Sequence, residues 1–189
     1  MPVNPTLKNR LIEYNTLTPR QINLICSCFK TQRLAASEHF QEANQPVTQI
    51  AFIRKGTFRA YIIDETGKEV IKFFLEAGQF MVDVTGYQYS ATAYLSFEAL
   101  QPSQILTITV EDARQLCRQI PTLESIIDKL CIANLLTLNR SNDTFRNGTA
   151  TQKLQRFIKI HPTLVGKIAQ KYIARFIGVT QQSFSRISQ

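Results

Sequence analysis

Three glycines, Gly56, Gly67 and Gly78, fall eleven residues apart in the run "QIAFIRKGTFRAYIIDETGKEVIKFFLEAGQF". The run is rich in β-branched and aromatic residues, the types that fit a pleated, half-buried surface. Short strands broken by turns at this spacing build an antiparallel barrel or sandwich. "DETGKE", between "FRAYII" and "VIKFFL", reads as a hairpin connection. Two further strands are expected around 92–100 and 104–110, with Pro102 between them. The β pattern is read as beginning at about residue 33 and the module as closing near Val110.

On both sides the hydrophobic period is helical. In "TPRQINLICSCF", Thr18 is placed as an N-cap with Pro19 at the first helical position, and Ile22, Ile25 and Phe29 share a face. After the β module, "EDARQLCRQI" reads as a short helix, and Pro121 opens a longer one of about 20 residues. Leu123, Ile126, Ile127, Leu130, Leu135, Leu136 and Leu138 cover more than one narrow stripe of that helix. A helix apolar on two sides needs two partners. One is the β module; the other is either more of this chain or the same helix of a second subunit, packed through 121–139 as in a coiled coil. "SNDTFRNGTA" reads as a polar hinge. "TATQKLQRFIKIHP" follows as the first helix of a small domain and stops at His161, because the residue before a proline disfavours the α conformation.

Charge singles out that last segment. Residues 1–139 are balanced, with 13 basic and 13 acidic side chains, whereas 140–189 hold nine basic residues against Asp143 alone. The whole net charge of +8 thus lies in the last 50 residues, which points to a polyanionic partner. An anionic membrane surface is a rival, but it calls for an amphipathic helix with a dense cationic face. No stretch approaches about 18 continuous apolar residues, and the start lacks a secretory layout, so no membrane partner and a cytoplasmic location are expected. Cys26, Cys28, Cys117 and Cys131 form no C-x-x-C pair, and His39 and His161 lie far apart, so no metal site and no cofactor are expected. The thiols are read as free and reduced. No nucleophile–base set, phosphate loop or carboxylate pair is visible, so no catalytic residue is assigned and an enzyme is not expected.

The chain closes on "KYIARFIGVTQQSFSRISQ". Ala174, Gly178 and Phe184 follow an A-x3-G-x5-F spacing that suits two helices crossing closely over a tight turn. The small residue permits the approach, the glycine permits a left-handed turn, and Phe184 with Ile187 fills the joint core. Thr180 is placed to cap the second helix, leaving Gln181, Gln182, Ser185 and Arg186 to face outward. Gln pairs with the N6/N7 edge of adenine and Arg with O6/N7 of guanine in the major groove. Lys167, Lys171 and Arg175 supply charge.

"FIRKGTFRAYIIDETGKE" and "QKYIARFIGVTQQSFSRI" together resemble the Crp/Fnr family of bacterial transcription regulators, over nearly the whole chain from about Leu17; the second segment looks most like members from the Bacteroidetes group. The resemblance implies an α+β chain. Its parts are an N-terminal antiparallel β-roll of the cyclic-nucleotide-binding, cupin-like jelly-roll type over 1–110, a connecting and dimerisation helix over 111–145, and a winged-type helix-turn-helix domain over 146–189. It implies a homodimer on a palindromic site in double-stranded DNA, with RNA polymerase as a further partner. Carried over by position, Gln181, Gln182 and Arg186 fall where the family contacts base edges, and Thr180 and Ser183 where it approaches phosphate.

The sensing pocket departs from that pattern. Cyclic-nucleotide binders of the family carry G-E-[LM] and then R-[ST]-A after the turn that here is Gly78-Gln79-Phe80; Val82 and Asp83 stand at the G-E position, and no Lys or Arg lies between Lys72 and Arg114. A phosphate buried without a cation is costly, so cAMP is not expected to bind. Any small-molecule effector is unidentified and is placed near Gly78, Phe80, Asp83 and Tyr94. Cys26 and Cys28 give too few thiols for an iron–sulfur cluster, and nothing supports His39 as a haem ligand. The other functional reading is a ligand- or protein-binding roll whose DNA binding is weakened or lost, since "RISQ" gives little phosphate anchoring after Arg186.

Overall fold

The computed structural model describes residues 6–145 and 147–187. Two helices open the described chain: α1 (Leu7–Ile12), capped by the Thr6 hydroxyl, and α2 (Pro19–Cys28), which starts with a capping box between Thr18 and Gln21. Eight strands follow: β1 (Lys30–Leu34), β2 (His39–Gln41), β3 (Gln49–Lys55), β4 (Thr57–Ile63), β5 (Glu69–Glu76), β6 (Phe80–Met81), β7 (Ser96–Ala99) and β8 (Ser103–Thr109). A short helix, α3 (Val84–Tyr89), interrupts them. The strands form two four-stranded sheets, in the orders β1-β8-β3-β6 and β2-β7-β4-β5. The pairing is antiparallel, from Lys30↔Thr107 to Leu34↔Ser103 along β1–β8 and from Gln49↔Thr109 to Ile53↔Ile105 along β3–β8. Helices α4 (Val110–Gln119), α5 (Pro121–Thr144), α6 (Ala150–Ile160), α7 (Gln170–Phe176) and α8 (Gln181–Ile187) complete the chain.

The expected antiparallel module is therefore present, with differences at its margins. It begins at Lys30 rather than 33, because β1 is a polar edge strand with little hydrophobic signal. The strand expected over 92–100 is shorter, Ser96–Ala99. The polar hinge expected from 141 is helical through Thr144, so α5 runs 24 residues. The turn glycines behave as their spacing suggests, with φ of 123° at Gly56, 79° at Gly67 and 93° at Gly78. At Gly56 a side chain is excluded twice over, since a Cβ would also lie 2.0 Å from the Ser103 hydroxyl.

The chain divides into two compact units, one of residues 1–60 and 74–135, the other of residues 61–73 and 136–189. In the first, alternation along β3 and β8 separates two faces. Ile50, Phe52 and Ile108 pack with Leu7, Leu11, Ile22, Ile25, Leu116, Leu123 and Ile126 from the helices. Ala51, Ile53 and Ile105, on the opposite face, are also fully buried. Burying apolar surface at about 25 cal/mol per Å² on both faces makes this sheet the centre of the unit's stability. Arg59 of β4 and Glu98 of β7 form a buried ion pair, with Nε and Nη2 at 3.0 and 2.5 Å from one carboxylate oxygen. Burial holds this pair together, because either charge without its partner would be stranded away from water.

In the second unit, Thr149 and Gln152 close another capping box at the start of α6. Phe157 and Phe176 meet edge to face at 5.9 Å, Phe145 packs on Phe176 at 5.1 Å, and Leu164, Ile177 and Phe184 are buried. No helix among the described residues is long and apolar enough to cross a membrane.

Candidate nucleic-acid interface and sensor pocket

Helices α7 and α8 are joined by a turn of four residues, Ile177 to Thr180. Gly178 adopts φ 69°, and the Val179 N–H returns to the Ala174 carbonyl at 2.9 Å, closing the end of α7. Ala174 and Phe184 are 2% and 3% exposed, so the small residue and the aromatic sit in the joint core as their spacing requires. The Thr180 hydroxyl accepts the Ser183 N–H at 3.1 Å and donates to the Ser183 hydroxyl at 2.9 Å. Ser183 is thereby drawn into the cap and is half-buried. Gln181, Gln182, Ser185 and Arg186 are exposed. On α7, Lys171 is exposed and lies over the Tyr172 ring at 4.8 Å, whereas Arg175 donates to the Glu69 carboxylate.

The four residues expected around an effector sit in different surroundings. Phe80 lines an apolar cavity of about 50 Å³ with Val82, Tyr87, Leu116 and Ile126. Gly78 lines a separate surface groove with Asn9, Arg10 and Glu13. Tyr94 is 54% exposed. Asp83 is 2% exposed and acts as the N-cap of α3. One of its carboxylate oxygens accepts the Gly86 N–H at 2.8 Å, and the other accepts the N–H groups of Tyr94 and Leu95 at 3.0 and 2.8 Å. The Gly86 N–H in the first turn of α3, where an external anion would be drawn, thus already holds the chain's own carboxylate.

At the other end of α3, the Arg114 guanidinium donates to the Tyr87 carbonyl at 3.1 Å and the Ser90 hydroxyl at 3.0 Å, a cation on the helix C-terminus. Burial pushes the Tyr87 hydroxyl up to about 12, with Cys117 and Cys131 adding to the effect. Burial also raises the thiols of Cys26, Cys117 and Cys131, which keeps them protonated and poorly nucleophilic at neutral pH. Among the described residues no group of three His, Cys, Asp or Glu side chains is placed to hold a metal ion. Sequence reasoning missed Glu69 and the Arg59–Glu98 pair. Neither carries a local signal, since the partners lie 106 and 39 residues apart.

Residues 31–120 match the family model of the cyclic nucleotide-binding domain. No curated protein sequence matches the chain. Among solved structures, a transcriptional regulator of the Crp/Fnr family from Eubacterium rectale superposes with a TM-score of 0.75 at 17% identity, covering 95% of this chain and 85% of that one. CLP, the c-di-GMP-responsive global regulator of Xanthomonas campestris, gives 0.73 at 13% identity, covering 90% and 89%. The catabolite activator protein of Thermus thermophilus gives 0.61 at 16% identity, covering 93% and 84%. Residues 31–120 are thus matched to the cyclic nucleotide-binding domain, within a chain that has the fold of Crp/Fnr regulators.

Proposed function

We propose that this chain is a sequence-specific DNA-binding transcription regulator of the Crp/Fnr type, from the Bacteroidetes group, acting as a homodimer on a palindromic site. The observation that carries this reading is the division of α8: Phe184 is buried, while Gln181, Gln182, Ser185 and Arg186 are exposed, in the segment that holds the whole net positive charge. In this reading α7 and α8 are the helix-turn-helix of a winged-type domain over 146–189, residues 1–110 are the sensor roll, and 111–145 connect and dimerise. Gln181, Gln182 and Arg186 read base edges. Thr180 and Ser183 approach phosphate at the start of α8, and Lys171 and Arg175 supply charge. RNA polymerase is a further partner.

The dimer is supported by Ile132, Leu135 and Leu136, which stay 57%, 45% and 49% exposed on α5 and form an apolar strip that a second copy would cover. A selected-site sequence logo with a footprint tests the whole proposal. Two-fold symmetry with half-site centres about 10 base pairs apart is expected. Arg186→Ala should cost about 1–3 kcal/mol and relax one position per half-site, whereas Lys171→Ala should weaken all sequences alike and lower the salt slope by about one unit. A logo without symmetry, or one that Arg186→Ala leaves unchanged, removes α8 as the reader.

A further inference from the structure

The β4–β5 hairpin, residues 61–73, belongs to the same compact unit as the helices α6 to α8. Within that unit the Arg175 guanidinium donates to the Glu69 carboxylate, and both side chains are partly exposed, at 41% and 30%. The contact is not isolated. Asp64, Lys68 and Glu69 wall a groove of about 480 Å³ whose other side includes Lys171, Thr180 and Gln181. The hairpin tip is fixed by Asp64, whose carboxylate accepts the N–H groups of Thr66 and Lys68 at 2.9 and 3.0 Å and the Thr66 hydroxyl at 2.6 Å. Bonds from Thr66 and Lys68 hold the Asp64 carboxyl below the usual carboxylate range, so it stays charged. Asp64 and Glu69 outnumber Lys68 along this wall, so the side facing the start of α8 carries net negative charge.

We propose that Glu69 is an internal rival for phosphate: a carboxylate supplied by the roll's own hairpin that occupies Arg175 and holds down DNA affinity until the hairpin is displaced. This rests on the DNA-binding reading above and names a regulatory contact within that same site. A guanidinium fork accepts a carboxylate or a phosphate in the same planar geometry, so the two compete for one donor set. A phosphate arriving at Arg175 must displace Glu69 and then lie beside it, a like-charge juxtaposition. Neutralising Glu69 lifts both obstacles.

The test is fluorescence anisotropy of the full chain on a mixed-sequence DNA duplex across a salt series, for wild type, Glu69→Gln, Arg175→Ala and the double variant. Glu69→Gln should bind about five-fold tighter with a salt slope steeper by about one unit. In the Arg175→Ala background the same change should gain less than about two-fold, because the coupling runs through that pair. Equal affinity of Glu69→Gln and wild type, with both binding DNA, overturns the latch while leaving the DNA reading intact. So does an equal gain in both backgrounds, which marks a general charge effect. If neither protein binds duplex at low salt, the DNA reading itself fails and the latch on DNA falls with it. Mapping of an arginine-selective dicarbonyl reagent by mass spectrometry then reports on the pair alone: faster modification of Arg175 in Glu69→Gln supports a guarding contact, and an unchanged rate rejects it.

Discussion

Replacing Asp83 with alanine should be among the most damaging single changes available in the roll. The carboxylate satisfies three backbone N–H groups at 2.8, 3.0 and 2.8 Å, and the residue is 2% exposed. Loss of the α3 cap costs about 1 kcal/mol. Leaving the Tyr94 and Leu95 donors without an acceptor adds about 1–2 kcal/mol each. The expected loss is therefore about 3–5 kcal/mol, a large share of the about 5–15 kcal/mol that holds a typical domain together. With a urea slope near 2 kcal/mol per M, the midpoint should fall by about 2 M. Asn at 83 keeps one acceptor but sets an amide N–H2 against backbone donors, so its loss should be intermediate, about 1–2 kcal/mol. The assay is urea unfolding followed by tyrosine fluorescence, which reports directly because the chain has six tyrosines and no tryptophan. Hydrogen exchange at Gly86, Tyr94 and Leu95 supplies a local check. An alanine variant within about 1 kcal/mol of wild type, or three amides that exchange rapidly in the wild type, would refute the reasoning.

Glu at both Leu135 and Leu136 should convert a micromolar dimer into monomers in sedimentation; a wild type already monomeric there removes α5 as an interface. Leu130 is unsuitable for that test, because it lines the apolar cavity of the core. Titration calorimetry with cAMP should give no binding tighter than about 10 μM, roughly −7 kcal/mol, since no Lys or Arg lies between Lys72 and Arg114 to meet the phosphate; tighter binding contradicts this. Stability should fall at alkaline pH. The folded state raises Tyr87 to about 12 and lifts Cys26, Cys117 and Cys131, so above the ordinary thiol value of 9.0 the unfolded chain loses protons first and is favoured. A thermal midpoint flat from neutral pH through this window would count against buried neutral thiols and phenol.

What could be read in advance was whatever the chain encodes locally. The β3–β5 region announced itself because turn glycines and β-branched runs alternate within it, and α2 because Thr18-Pro19 marks its start. Edge strand β1, "KTQRL", offered no such signal, since its pairing with β8 rather than its own apolarity makes it a strand. Helix α3 was equally hidden: "VTGYQY" has poor helix formers, and its support comes from Asp83 at one end and Arg114 at the other. "SNDT" at the end of α5 reads as a break by composition but continues an established helix. The exposed face of α8 followed from spacing alone. Gly78, Phe80, Asp83 and Tyr94 are near in sequence but sit in different surroundings, because nearness in sequence says little about which face of a roll a side chain meets.

The pairing of β1 with β8 has a consequence for synthesis. Leu34 lies opposite Ser103, so the first sheet strand to be made waits for the last. At about 5–20 residues per second, the intervening stretch takes a ribosome on the order of several seconds to deliver. Throughout that interval β3 lacks the β8 neighbour that it pairs with from Gln49 to Lys55, and its apolar edge is open to other chains. Closure of the roll is thus a late, long-range event, slow by topology. Helices α6 to α8 are made only after β8.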